Sequence, residues 1–103
     1  RKNSPTFGQH VAVELTNENK KQMLVPRGFA HGFIVLEDDT IFAYKVDNYY
    51  SPEYDRGIAF NDSSLNINWI LNHDELNLSA KDIKQPLLQD TNDIFEFGVD
   101  YYA

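Results

Sequence analysis

Apolar residues first recur with a period of two. Between Phe7 and Leu15, Val11, Val13 and Leu15 alternate with small or polar neighbours, the pattern of a half-buried strand. Thr16 to Lys21 is polar and turn-like, and Gln22-Met23-Leu24-Val25 is a short apolar run stopped by Pro26, which predicts a second strand and then a turn. His31–Leu36 and Ile41–Val46 are two β-rich runs separated by Glu37-Asp38-Asp39-Thr40, and they predict a hairpin with an acidic loop. Asp47 to Gly57 reads as a long irregular loop of the kind that often lines a site. The mixed stretch from Ile58 to Trp69 suggests short strands or a turn. Ser79 stands where an N-cap would open a helix near residues 79–86 that Pro86 ends. Residues 91–103 form an acidic, aromatic tail without a predicted element. Many short strands and little helix predict an all-β sandwich or barrel.

Composition narrows the setting. A chain of 103 residues, 42% hydrophobic, suffices for one domain. It has no cysteine, so a disulfide framework and a thiolate zinc site are excluded and a reducing, cytoplasmic setting is expected. No apolar run reaches the roughly 18 residues of a spanning helix, so no membrane role is expected. Nine basic against sixteen acidic side chains leave a formal charge of −7, which repels a phosphate backbone and argues against a nucleic-acid partner. An anionic small molecule would need a local cationic pocket. The chain opens on Arg1 rather than Met, and we expect it to be part of a longer protein.

Candidate chemistry begins at Pro26-Arg27-Gly28-Phe29-Ala30-His31, a P-x-G-x-x-H run that resembles the second short motif of cupins. A cupin metal site needs further histidines and an acid from an earlier motif, and that motif is missing here, so no metal is expected. In the predicted hairpin, His31 and Tyr44 become diagonal neighbours on one face, roughly 7 to 8 Å apart. A shared interior cavity is one expectation; a satisfied histidine and a core aromatic are the other.

Several blocks in order carry a more specific resemblance. Arg1 to Gln9, Pro26 to Phe33, Tyr44-Lys45, Tyr49-Tyr50-Ser51-Pro52, Arg56-Gly57-Ile58, Asn61-Asp62, and Leu78 to Asp82 with Pro86-Leu87-Leu88 resemble the dTDP-4-dehydrorhamnose 3,5-epimerase family across residues 1–90. The resemblance implies a cupin-like β-barrel (jelly roll) domain over 1–90, lacking its first strands, followed by the 91–103 tail. It implies an isomerase that inverts C3 and C5 of a 4-keto-6-deoxy nucleotide sugar without a cofactor. A barrel without its first strands would leave open edges at Val11-Ala12-Val13 and Gln22-Met23-Leu24-Val25, so a homodimer or higher oligomer is expected. By position, Tyr44 matches the family's general acid and Asp82 the carboxylate that orients its base histidine. His31 and Lys81 match substrate contacts, Tyr50 an aromatic that stacks on thymine, and Asp55 a position usually held by Glu. Arg27 stands where some relatives carry Glu. The base histidine is expected in a segment before Arg1, so these residues alone are expected to be inactive.

The implied chemistry suits these residue types. Protons at C3 and C5 lie α to the C4 carbonyl, so a base removes each to leave an enolate and an acid returns it from the opposite face. The enolate oxygen calls for a cationic or hydrogen-bonding neighbour. Other readings stay open: a non-catalytic nucleotide-sugar-binding or structural cupin module, a related 3-epimerase or 3,4-ketoisomerase, and, for Lys81 and Asp82, a solvated charge pair in a helix first turn.

Overall fold

Main-chain hydrogen bonding is local. In the computed structural model, which describes residues 1–103, the backbone bonds close turns and caps or make isolated links, and none belongs to a strand ladder. The elements in chain order are 3₁₀ turns at Pro52–Tyr54 and His73–Glu75, a one-turn helix α1 at Ala80–Ile83, and a third 3₁₀ turn at Leu88–Asp90. No helix is long and apolar enough to cross a membrane.

Local chemistry explains where these turns fall. Pro52 opens its 3₁₀ turn, where a preset φ is an advantage and the missing N–H costs nothing. Ser79 caps α1: the Asp82 backbone N–H donates to its Oγ at 3.1 Å. The Ser79 hydroxyl donates in turn to the Asp82 carboxylate at 2.8 Å. The helix is shorter than the expected 79–86 span, because Pro86 disfavours helical backbone at Gln85 and Lys84 already leaves the helix as C-cap.

The expected all-β, cupin-like barrel is not formed. No sheet is present; the one bridge pairs Lys2 with Glu96. The runs 7–15 and 22–25 pair with nothing, and the predicted hairpin is joined by rings rather than by backbone. Phe33 stacks on Phe42 with centroids 3.9 Å apart, and Phe42 lies 5.2 Å from Tyr44. The turn between the runs is closed by the Thr40 hydroxyl donating to the Glu37 carbonyl at 2.7 Å. The physical reason is that alternation selects which side chains share a face but supplies no partner strand. A lone two-stranded ribbon is marginal without a third strand or a covered face. Only Ala59 and Asp62 are buried, so no face is covered. The accessible surface is 9338 Å², against roughly 6,000 Å² for a folded monomer of this size. Most apolar side chains therefore remain in water.

Packing concentrates between residues 57 and 90. The Ala59 N–H donates to the Pro86 carbonyl at 2.7 Å, and the Trp69 indole donates to the Phe60 carbonyl at 2.7 Å. Leu65, Ile67, Trp69 and Leu71 are half-buried and alternate with exposed Asn66, Asn68 and Ile70, so the period-2 pattern survives here without a ladder. Asp62 ties the two ends of this region together. Its carboxylate accepts from the Leu88 N–H at 2.7 Å and from the Ser64 N–H and hydroxyl at 2.9 and 2.7 Å. Those three donors hold its carboxyl below the ordinary carboxylate range, the Leu88 N–H contributing most. Trp69 also reaches the 31–36 run, where a Cβ on Gly32 would stand 3.3 Å from its ring.

Candidate functional site

The long loop and α1 meet across one cleft. It has a volume of about 350 Å³ and is lined by Phe29, Ala30 and His31 on one side, Asp55 to Ile58 on another, and Lys81, Asp82 and Gln85 from α1 and its exit. Four of the six residues singled out in the sequence thus share a cleft: His31, Asp55, Lys81 and Asp82. Gly57 lies against the Gln85 side chain, whose flexible amide end would have to shift to make room for a Cβ 2.6 Å away.

A hydrogen-bonded trio defines the electrostatics. Lys81 Nζ donates to Asp55 Oδ2 at 2.7 Å, and the Tyr50 hydroxyl donates to the same oxygen at 3.0 Å. The Lys81 ammonium, and then the Tyr50 hydroxyl, lower the Asp55 carboxyl from its ordinary range. The Asp55 carboxylate raises Lys81 by its hydrogen bond and its charge, and raises Tyr50 in the same way. All three shifts keep Asp55 anionic, Lys81 cationic and Tyr50 neutral across the physiological range. The trio therefore holds the Lys81 ammonium, which lines the cleft, beside the Tyr50 phenol, which is 73% exposed and is not among the lining residues.

Tyr44 stands apart. It is 71% exposed and does not line the cleft; Phe42 lies between it and His31, 5.2 Å from the first and 6.3 Å from the second. Asp82 lines the cleft but spends its carboxylate on Ser79. No three His, Asp or Glu side chains are grouped as metal ligands. Sequence reasoning missed Gln85 and Arg56 as cleft residues because nothing local marks them. It also gave Asp62 no structural role, although Asp62-Ser63-Ser64 is the pattern of a side-chain-closed turn.

The sequence profile of the dTDP-4-dehydrorhamnose 3,5-epimerase family matches residues 1–90. A protein of that name from Shigella flexneri is 52% identical over 83 residues, which is 81% of this chain and 45% of the relative. The Salmonella typhimurium protein is 50% identical over 88 residues, 85% of this chain and 48% of the relative. The Mycobacterium tuberculosis protein is 31% identical over 91 residues, 87% of this chain and 45% of the relative. No solved structure matches. The chain belongs to the dTDP-4-dehydrorhamnose 3,5-epimerase family, and it spans about half the length of these curated relatives.

Proposed function

We propose that this chain supplies one wall of a pocket that binds a thymidine-diphospho 4-keto-6-deoxy sugar and takes part in inverting its C3 and C5 centres. The observation that carries the reading is that His31, Asp55, Lys81 and Asp82 share one cleft within the stretch that matches the family. The relatives' name specifies a ketone at C4, and both inverted carbons flank it, so their protons are the acidic ones. Lys81 meets the diphosphate as a point charge in an otherwise acidic chain. Tyr50, released from Asp55, offers a ring face to thymine. His31 contacts the sugar oxygens, Asp82 orients a base imidazole, and Tyr44 returns the proton. Residues 1–90 form the epimerase unit and 91–103 a separate tail. Two copies of the chain associate, given how much apolar surface is left in water; sedimentation at micromolar concentration checks this, and a lone monomer would contradict it.

A second reading, nucleotide-sugar binding without turnover, is favoured by the position of Tyr44 outside the cleft. One experiment separates the two: calorimetry with thymidine diphosphate, followed by deuterium uptake at C3 and C5 of the 4-keto sugar nucleotide in heavy water, both measured on the longer protein that carries the expected base histidine. Uptake that falls about 10²- to 10⁴-fold in Tyr44→Phe supports the epimerase. Binding without uptake supports the second reading, and neither binding nor uptake overturns both.

A further inference from the structure

The tail, residues 91–103, lies beyond the family match, yet its last residues grip the loop that leads into the cleft. Pro26 has no N–H, so Arg27 carries the first main-chain donor of that loop, and it donates to the Tyr102 hydroxyl at 2.8 Å. The Arg27 side chain continues the grip. Its Nη1 donates to the Tyr101 carbonyl at 2.5 Å, its Nε to Asp47 at 2.9 Å, and its guanidinium carbon stands 4.9 Å from the centre of the Tyr102 ring. The tail is braced behind these contacts: the Tyr101 hydroxyl accepts from the Glu96 N–H at 2.7 Å, and its ring meets Phe95 edge-on at 4.7 Å. Main-chain bonds on both sides of Lys2 then tie Phe95 and Phe97 to the N-terminal segment.

We infer that Tyr101 and Tyr102 are positioning residues for the Phe29–His31 wall of the cleft, acting through Arg27. The loop between grip and wall has little freedom. Gly28 sits at φ 94°, and a Cβ there would collide with the Arg1 side chain. The Arg1 guanidinium donates to the Arg27 carbonyl at 2.6 Å and lies 5.7 Å from the Phe29 ring centre. His31 follows Gly28 by three residues, so a displacement of Arg27 is passed on to it rather than absorbed. The other end of the tail touches the same cleft, because Asp93 pairs with the lining residue Arg56 at 3.3 Å. The tail thus holds the cleft wall at two points.

The ligand arm of the test rests on the nucleotide-sugar reading; the spectroscopic arm does not. Tyr102→Ala, Tyr102→Phe, Arg27→Ala and the Arg27→Ala/Tyr102→Ala double variant of the full chain are compared by the imidazole NMR signals of His31, with His10 and His73 as internal controls, and by thymidine diphosphate affinity. Tyr102→Ala is expected to move the His31 signals alone and to weaken affinity about three- to tenfold. Tyr102→Phe, which keeps the ring but loses the hydroxyl, is expected to do less of both. The double variant is expected to match Arg27→Ala, since the tyrosine acts through the arginine. A His31 signal that stays in place while Tyr102→Ala remains folded overturns the inference, as do additive effects in the double variant. If all three histidines move in Tyr102→Ala, the milder Tyr102→Phe decides by the same criterion. Failure of the wild-type chain to bind thymidine diphosphate overturns the assigned ligand and leaves the His31 result standing.

Discussion

Lys81 Nζ lies 2.7 Å from Asp55 Oδ2 although the residues are 26 positions apart, and this pair sets the surroundings of the one ammonium that lines the cleft. An anionic ligand that seeks Lys81 must compete with the Asp55 carboxylate for the same nitrogen.

Substitution on the two sides of that pair therefore acts in opposite directions. Lys81→Met is expected to weaken thymidine diphosphate binding about tenfold, the scale of one charge-assisted hydrogen bond to phosphate. Asp55→Asn is expected to tighten it about two- to threefold, by removing the competing carboxylate and one negative charge. Titration calorimetry at low salt, where such effects are least screened, measures both. Tighter binding in Lys81→Met would remove the lysine from the phosphate-binding role.

Acid stability should depend on Asp62. Its folded-state carboxyl lies below the ordinary value of 3.8, so the unfolded chain binds the proton more readily. The stabilisation is fully present above the unfolded value and is lost as pH falls through the folded one. Asp55, shifted the same way, adds to the loss in the same window. Thermal melts are expected to hold steady from pH 7 down to about 5 and to fall below about pH 4. In Asp62→Asn the midpoint at pH 7 drops by several degrees, because the Leu88 N–H loses its anionic acceptor, and the acid slope flattens. An unchanged acid slope in Asp62→Asn would show that other carboxylates govern it.

The single tryptophan reports on the contact between the 31–36 run and the packed 57–90 region. A Cβ at Gly32 would stand 3.3 Å from the Trp69 ring, tighter than ordinary packing, so Gly32→Ala must push the indole aside. The expected result is a shift in Trp69 emission and a loss of roughly 1 kcal/mol in urea unfolding, the scale of modest overpacking. Emission and unfolding identical to the wild type would mean that the run does not rest on Trp69.

Short-range chemistry was legible in the residues. The Ser79 cap and the stop before Pro86 each depend on atoms within a few positions of one another, so their pattern carries the answer. The candidate cleft was foreshadowed only through the resemblance, which named His31, Asp55, Lys81 and Asp82 one at a time; these four line one cleft, while Tyr44 and Tyr50 do not. Their partners were not legible, because Arg56 and Gln85 carry no local mark.

The strands show the limit of pattern. Alternation at 7–15, 22–25, 31–36 and 41–46 marks side chains that share a face, yet a strand exists only when another segment takes up its backbone N–H and C=O groups. No segment here does so. Charge, the absence of cysteine and the turn chemistry thus follow from the sequence by itself, since each is a property of single residues or near neighbours. The tertiary structure alone decided the Lys81–Asp55–Tyr50 trio, the hold of Asp62 on Leu88 and the grip of Tyr102 on Arg27, which lie 26 to 75 positions apart at their longest links. Contacts over such spans form only when several parts of the chain meet at once, and local propensity carries no information about that meeting.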